Sequence, residues 1–270
     1  RASLKEGESR LADLLKAEQV GLSWRTGFAL INYYVAGNQW QKAVETGKKY
    51  MKKYPSNYYI GLKYAKALCE TGEYQSCISL LSRMQVLPNE GSYAGRAVYR
   101  EANLYRAMEQ LGRKNYKQAV KSVEASKEWP ENLGVGKPYD NMIDSRLEDY
   151  MEAKAMAGQG DDRKAVALFA AVAGYKTSRS YFGSGNLLSA LALRESGKEP
   201  EADRMVTAWS TDFPENRIVQ WCTAIYRGER EKAAGMIKSR NDQADTTPWE
   251  TSFRDSDFDL IVRLFSIAGL

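Results

Sequence analysis

One phrase returns along this chain. A glycine stands five to seven positions before a small residue at six places: Gly37 before Ala43, Gly72 before Cys77, Gly112 before Ala119, Gly160 before Ala165, Gly197 before Ala202 and Gly228 before Ala233. After four of the small residues a proline follows by eleven or twelve positions, at Pro55, Pro88, Pro130 and Pro214. Glycine supplies the left-handed backbone that closes a helix. A small residue lets two helices approach closely, and a proline cannot continue a helix. The phrase therefore spells a turn between two helices, the second ending at a proline. Its recurrence spells an array of helix hairpins, each burying its apolar side against the next.

The apolar residues between the turns keep helical spacing. Residues 3–19 carry Leu4, Leu11, Leu14 and Leu15 among charges and read as a leading helix. Hairpins follow at about 24–55, 58–88, 99–130, 144–175, 187–214 and, shorter, 219–237. The second is the cleanest: Gly61, Tyr64, Ala65 and Leu68 face Tyr74, Cys77, Leu81 and Met84. No stretch alternates apolar and polar residues as a strand does, so the fold class is all-α. The expected layout is a capping helix over 1–22, three hairpins over 23–129, an irregular loop over 130–143, further hairpins over 144–240 and a capping segment over 241–270. The irregular loop holds two glycines and two prolines yet keeps Leu133, Val135 and Tyr139, which predicts a loop that packs. A second loop, 176–185, is rich in serine and glycine.

Composition excludes several function classes. The chain has no histidine, the commonest general base and metal ligand. Cys69, Cys77 and Cys222 form no CxxC and suit buried thiols; a Cys69–Cys77 disulfide across the second hairpin is the alternative. The 39 basic residues are interspersed with 34 acidic ones, unlike the dense clusters of a nucleic-acid binder. No apolar run is long enough to span a membrane as a helix. Asp140, Asp144, Glu148 and Asp149 are the candidate acids for catalysis, but acids at a helix start serve as caps and complement its dipole. P-loop, GxSxG and HExxH motifs are missing. The expectation is a non-enzyme without cofactor or metal. The chain begins without methionine and reads as a segment of a longer protein, so its compartment stays open.

At Ala65, Gly72, Tyr74, Cys77 and Pro88 the chain resembles the tetratricopeptide repeat family. Gly160, Ala165 and Phe169, and Gly197, Ala202 and Pro214, occupy matching places. Ala43 to Cys77 is 34 residues, the family period, whereas later spacings are 42, 46, 37 and 31. The resemblance implies a right-handed superhelix of antiparallel helix hairpins. A narrower resemblance runs through Leu87-Pro88-Asn89-Glu90-Gly91, through residues 129–139 from Trp129 to Tyr139, and through residues 186–194 from Asn186 to Arg194. These phrases look like the C-terminal repeat region of a gut Bacteroidetes family. Its members carry an N-terminal β-rich domain of unknown function, similar to sugar-binding or mutarotase-like domains.

The tetratricopeptide resemblance implies a groove lined by the first helix of each hairpin. Carried over residue by residue, the groove positions are Arg25, Asn32, Tyr59, Lys63, Lys66, Tyr99, Arg106, Tyr150, Lys154 and Arg194. The family's carboxylate-clamp pattern is only partly present. The set is basic with tyrosines, which suits an acidic peptide or partner protein, because Lys and Arg pair with carboxylates and Tyr stacks and donates. The implied function is a non-catalytic interaction scaffold with a peptide or partner domain in this groove. The alternative is an architectural module packed on an N-terminal carbohydrate-related domain of the same protein.

Overall fold

Six residues take left-handed backbone in the hairpin turns: Asn38, Gly72, Lys114, Gly160, Gly197 and Gly228. In the computed structural model, which describes residues 7–88, 93–175, 183–241 and 257–268, a helix begins two residues after each of them. The residue after each donates its N–H back to a carbonyl five residues earlier, as Glu73 does to Leu68 at 2.8 Å and Glu229 to Ala224 at 2.8 Å. The same bond closes the other four turns. This is the Schellman closure, which satisfies the last carbonyls of the first helix. Asn38 and Lys114, not the neighbouring Gly37 and Gly112, carry the left-handed angle in the first and third turns. Counted from the left-handed residue, all six small residues lie five positions on, and all six are buried.

The α-helices are α1 (Gly7–Val20), α2 (Trp24–Ala36), α3 (Trp40–Lys53), α4 (Tyr58–Glu70), α5 (Tyr74–Leu81), α6 (Ala94–Gly112) and α7 (Tyr116–Ser126). Then come α8 (Arg146–Gln159), α9 (Asp162–Ala173), α10 (Gly185–Glu195), α11 (Glu199–Asp212), α12 (Arg217–Tyr226), α13 (Arg230–Asn241) and α14 (Phe258–Ile267). Among the described residues there is no strand, and the fold is all-α. Expectations for residues 3–6, 89–91, 176–182 and 242–256 lie outside the described residues. Helix starts carry their caps: Ser23, Asn57, Asp161 and Asn216 each accept a backbone N–H of the first turn. Helix α6 starts at Ala94, earlier than the predicted Tyr99. Gly95 weakens helix propensity there, but tertiary contacts hold the first turn. Arg96 donates to Ser126 O at 2.7 Å and lies 4.6 Å from the Trp129 ring centre.

The chain divides into two compact units, residues 1–103 with 125–139, and residues 104–124 with 140–270. In the first unit α1 packs on α2, α2 on α3, α3 on α4 and α4 on α5, and α2 also meets α4. Its core is Leu30, Ile31, Tyr50, Ile60, Leu68 and Leu81. The Tyr50 ring lies on Gly27, where a Cβ would collide with it. Residues 129–135 close one side. Asn132 donates to Leu81 O and Met84 O at 2.9 and 2.7 Å, and Leu133 is fully buried beside Gly95. Cys69 and Cys77 are buried free thiols, and their mutual hydrogen bond, followed by burial, pushes Cys69 far above its usual range.

In the second unit neighbouring helices from α8 to α13 pack in sequence, and α8 also meets α10 and α10 meets α12. One polar node ties α8 to α10. The buried Arg146 guanidinium binds Asp144 through two nitrogens, with contacts at 2.9 and 2.6 Å. It also reaches Asn186 and Ser189 at 3.1 and 3.2 Å and lies 4.5 Å from the centre of the Tyr175 ring. A Cβ at position 185 would collide with this guanidinium, so a larger residue there would force Arg146 to shift within the node.

Candidate functional site

Each unit presents its own first-helix face. In the first unit the α2 and α4 face is aromatic and open. Tyr59, 48% exposed, lies nearly parallel to Trp24 with centroids 6.0 Å apart, meets Phe28 edge-on at 6.3 Å and neighbours Tyr58 at 4.2 Å. The Arg25 guanidinium sits 4.6 Å from the Trp24 ring centre. Asn32 and Lys63 are half-buried. Lys66 is held by two carboxylates, Glu70 and Glu101, each at 2.7 Å. Burial alone would lower its pKa, but the two carboxylates more than offset this and hold it above the usual lysine range. Tyr99 is buried and donates to Glu128 at 3.0 Å. Burial, then that hydrogen bond, pushes its phenol up to about 12.

In the second unit Arg106 is half-buried on α6, and Tyr150, Lys154 and Arg194 come together. They line one cavity of about 740 Å³. Its walls come from α8 (Tyr150, Lys154), α10 (Leu191, Arg194, Glu195), α12 (Trp221, Ile225), α13 (Ala234, Ile237, Lys238) and α14 (Val262, Phe265). Tyr150 is 3% exposed, meets Phe169 edge-on at 5.8 Å, and has its pKa raised by burial. Lys154 pairs with Glu195 at 2.8 Å. Arg194 donates to Tyr226 O at 2.9 Å and lies 4.0 Å from the Tyr226 ring centre. Tyr226 in turn donates to Asp203 at 2.7 Å. The floor is apolar, and among the lining side chains Lys154, Arg194, Arg230 and Lys238 face one acid, Glu195.

The structure thus joins Tyr150, Lys154 and Arg194 at one site and places Arg25, Asn32, Tyr59, Lys63, Lys66 and Tyr99 in the other unit. Sequence reasoning missed the wall contributed by α13 and α14. Their apolar spacing read as packing, and nothing local announced a shared cavity. Two of the four acids singled out for catalysis make structural contacts: Asp144 holds Arg146, and Asp149 accepts from Ser145 at 2.8 Å. Among the described residues, no group of three His, Cys, Asp or Glu side chains could hold a metal, and no helix is long and apolar enough to cross a membrane. Comparisons with protein families, curated proteins and solved structures returned no match.

Proposed function

We propose that this chain is a tetratricopeptide-like array of antiparallel helix hairpins forming a right-handed superhelix, and that it binds a protein segment without catalysis. The carrying observation is the cavity of the second unit, where successive first helices α8, α10 and α12 supply Tyr150, Lys154, Arg194 and Trp221 to one space. The six identical turn closures and the contacts of α2 with α4, α8 with α10 and α10 with α12 support the repeat reading. An apolar cavity of this size with a few polar groups at its edge is the usual form of a binding site. The excess of basic side chains at its edge suits a segment that brings a large apolar residue next to carboxylates.

The test is selection from a random peptide display library on the intact chain, with resynthesis of the recovered sequences. Recovered peptides should combine an aromatic or aliphatic residue with Asp or Glu. The exposed cavity residue Ala234 offers a control. Ala234→Trp fills the space and should cut their affinity at least tenfold while leaving the thermal transition in place. No recovered peptide, or equal binding to Ala234→Trp, would overturn the reading.

A further inference from the structure

Helix α14 lies on the first-helix face of the second unit. Its buried stripe is Phe258, Leu260, Ile261 and Leu264. Trp221 of α12 receives Phe258 edge-on at 5.2 Å and Phe265 at 6.2 Å. Arg263 lies 4.3 Å from the ring centre of Tyr105 on α6. Asp259 in the first turn of α14 pairs with Arg240 of α13 at 2.7 Å. Gly112 has to lack a side chain here, because a Cβ would come within 2.8 Å of Ile267 O. These contacts are the ones that an amphipathic helix makes when it seats in a hydrophobic groove: apolar anchors at helical spacing with charges at the edge.

Helix α14 fills the seat only in part. The cavity of about 740 Å³ borders α14 itself at Val262 and Phe265 and continues to Tyr150 on α8. A helix with larger side chains on that flank would gain apolar contact that α14 leaves unused.

We propose that α14 is a resident occupant of a helix-binding groove. The partner it stands in for is an amphipathic helix with an acidic first turn, aromatic residues seven positions apart and aliphatic residues between them. This rests on the groove reading above and deepens it: the segment binds as a helix, and α14 competes with it. A ligand gains apparent affinity by the factor through which its competent state becomes more populated, so loosening α14 strengthens binding.

The probe is a fluorescein-labelled peptide of residues 257–268, read by anisotropy against the full chain. Leu264→Asp loosens α14 and leaves the receiving side chains Trp221 and Tyr105 in place. It should bind the peptide at least tenfold more tightly than the unaltered chain, and a peptide carrying the same Leu264→Asp change should not bind. Adding Trp221→Ala to the loosened chain should remove the gain. Should Leu264→Asp fail to melt cooperatively, Asp259→Lys, at an exposed position, replaces it with an expected gain of two- to threefold. Equal binding by unaltered and cooperatively melting loosened chains overturns the proposal. If library-derived peptides bind the cavity while the helix peptide does not compete, the groove reading stands and the helical partner falls. If neither binds, both fall.

Discussion

Tyr59 and Tyr150 begin the same phrase, a tyrosine four residues before a lysine on a first helix, and they end in opposite surroundings. Tyr59 is 48% exposed on an open aromatic face; Tyr150 is 3% exposed in the wall of a cavity. The difference is register. Tyr59 lies thirteen residues before the left-handed residue of its turn and Tyr150 lies ten, almost a helical turn nearer the hairpin end. By the same count Lys66 and Lys154 are equivalent, six residues before Gly72 and Gly160. Both spend their charge on a glutamate of the following first helix, Glu101 and Glu195. Distance from the turn, not spacing within the helix, decides what a side chain on these faces meets.

The comparison breaks most easily at its two tryptophans. Trp221 is buried against Phe258 and Phe265, so Trp221→Ala should cost about 3–5 kcal/mol. Trp24 stands on the open face beside Tyr59, and Trp24→Ala should cost about 1 kcal/mol. Equal losses in urea denaturation would mean that the two faces are alike. The next effect concerns glycines under tyrosines. Tyr50 over Gly27 is fully buried and cannot move aside, so Gly27→Ala should cost about 2 kcal/mol by overpacking. Tyr116 over Gly158 is only half-buried and can swing outward. Gly158→Ala should therefore stay within about 0.5 kcal/mol, as exposed changes do.

The smallest effect sharpens the lysine equivalence. Lys66→Met should cost about 1–2 kcal/mol at neutral pH, because it leaves the largely buried Glu70 and Glu101 without their counter-charge. Its sign with pH follows from the raised pKa. The stabilisation is complete below the unfolded lysine value of about 10.4 and disappears as pH rises through the higher folded value. The gap between Lys66→Met and the unaltered chain should close on the alkaline side in denaturant titrations. A gap that widens there would sink the ion-pair account.

The hairpins were legible because glycine, small residue and proline each have a local physical meaning. The scatter of five to seven in their spacing came from reading the wrong residue in two turns. Asn38 is a known left-handed substitute, but nothing in a lysine announces that Lys114 will take that angle. The lining of the cavity was legible in part. Tyr150, Lys154 and Arg194 were expected on one face from the tetratricopeptide resemblance, and the structure places all three on the cavity, whereas Ala234, Ile237 and Val262 join them only through folding over long separations. The buried arginines were invisible. Arg96 and Arg146 stand in first turns and look like surface charges until Trp129 and Tyr175, from irregular segments, cover them.

The shared turn closure also says where this architecture tolerates growth. From one left-handed residue to the next the chain advances by 34, 42, 46, 37 and 31 residues, while the five-residue step into each second helix never changes. Extra length has accumulated in α6 and in the segments between α5 and α6, α7 and α8, and α9 and α10. Of these, the segment between α7 and α8 offers its exposed residues 139–142 as a graft point for a tag or epitope, clear of residues 129–135, which pack. One residue added inside a turn would instead rotate the second helix by about 100° and carry its small residue away from the crossing it has to fit.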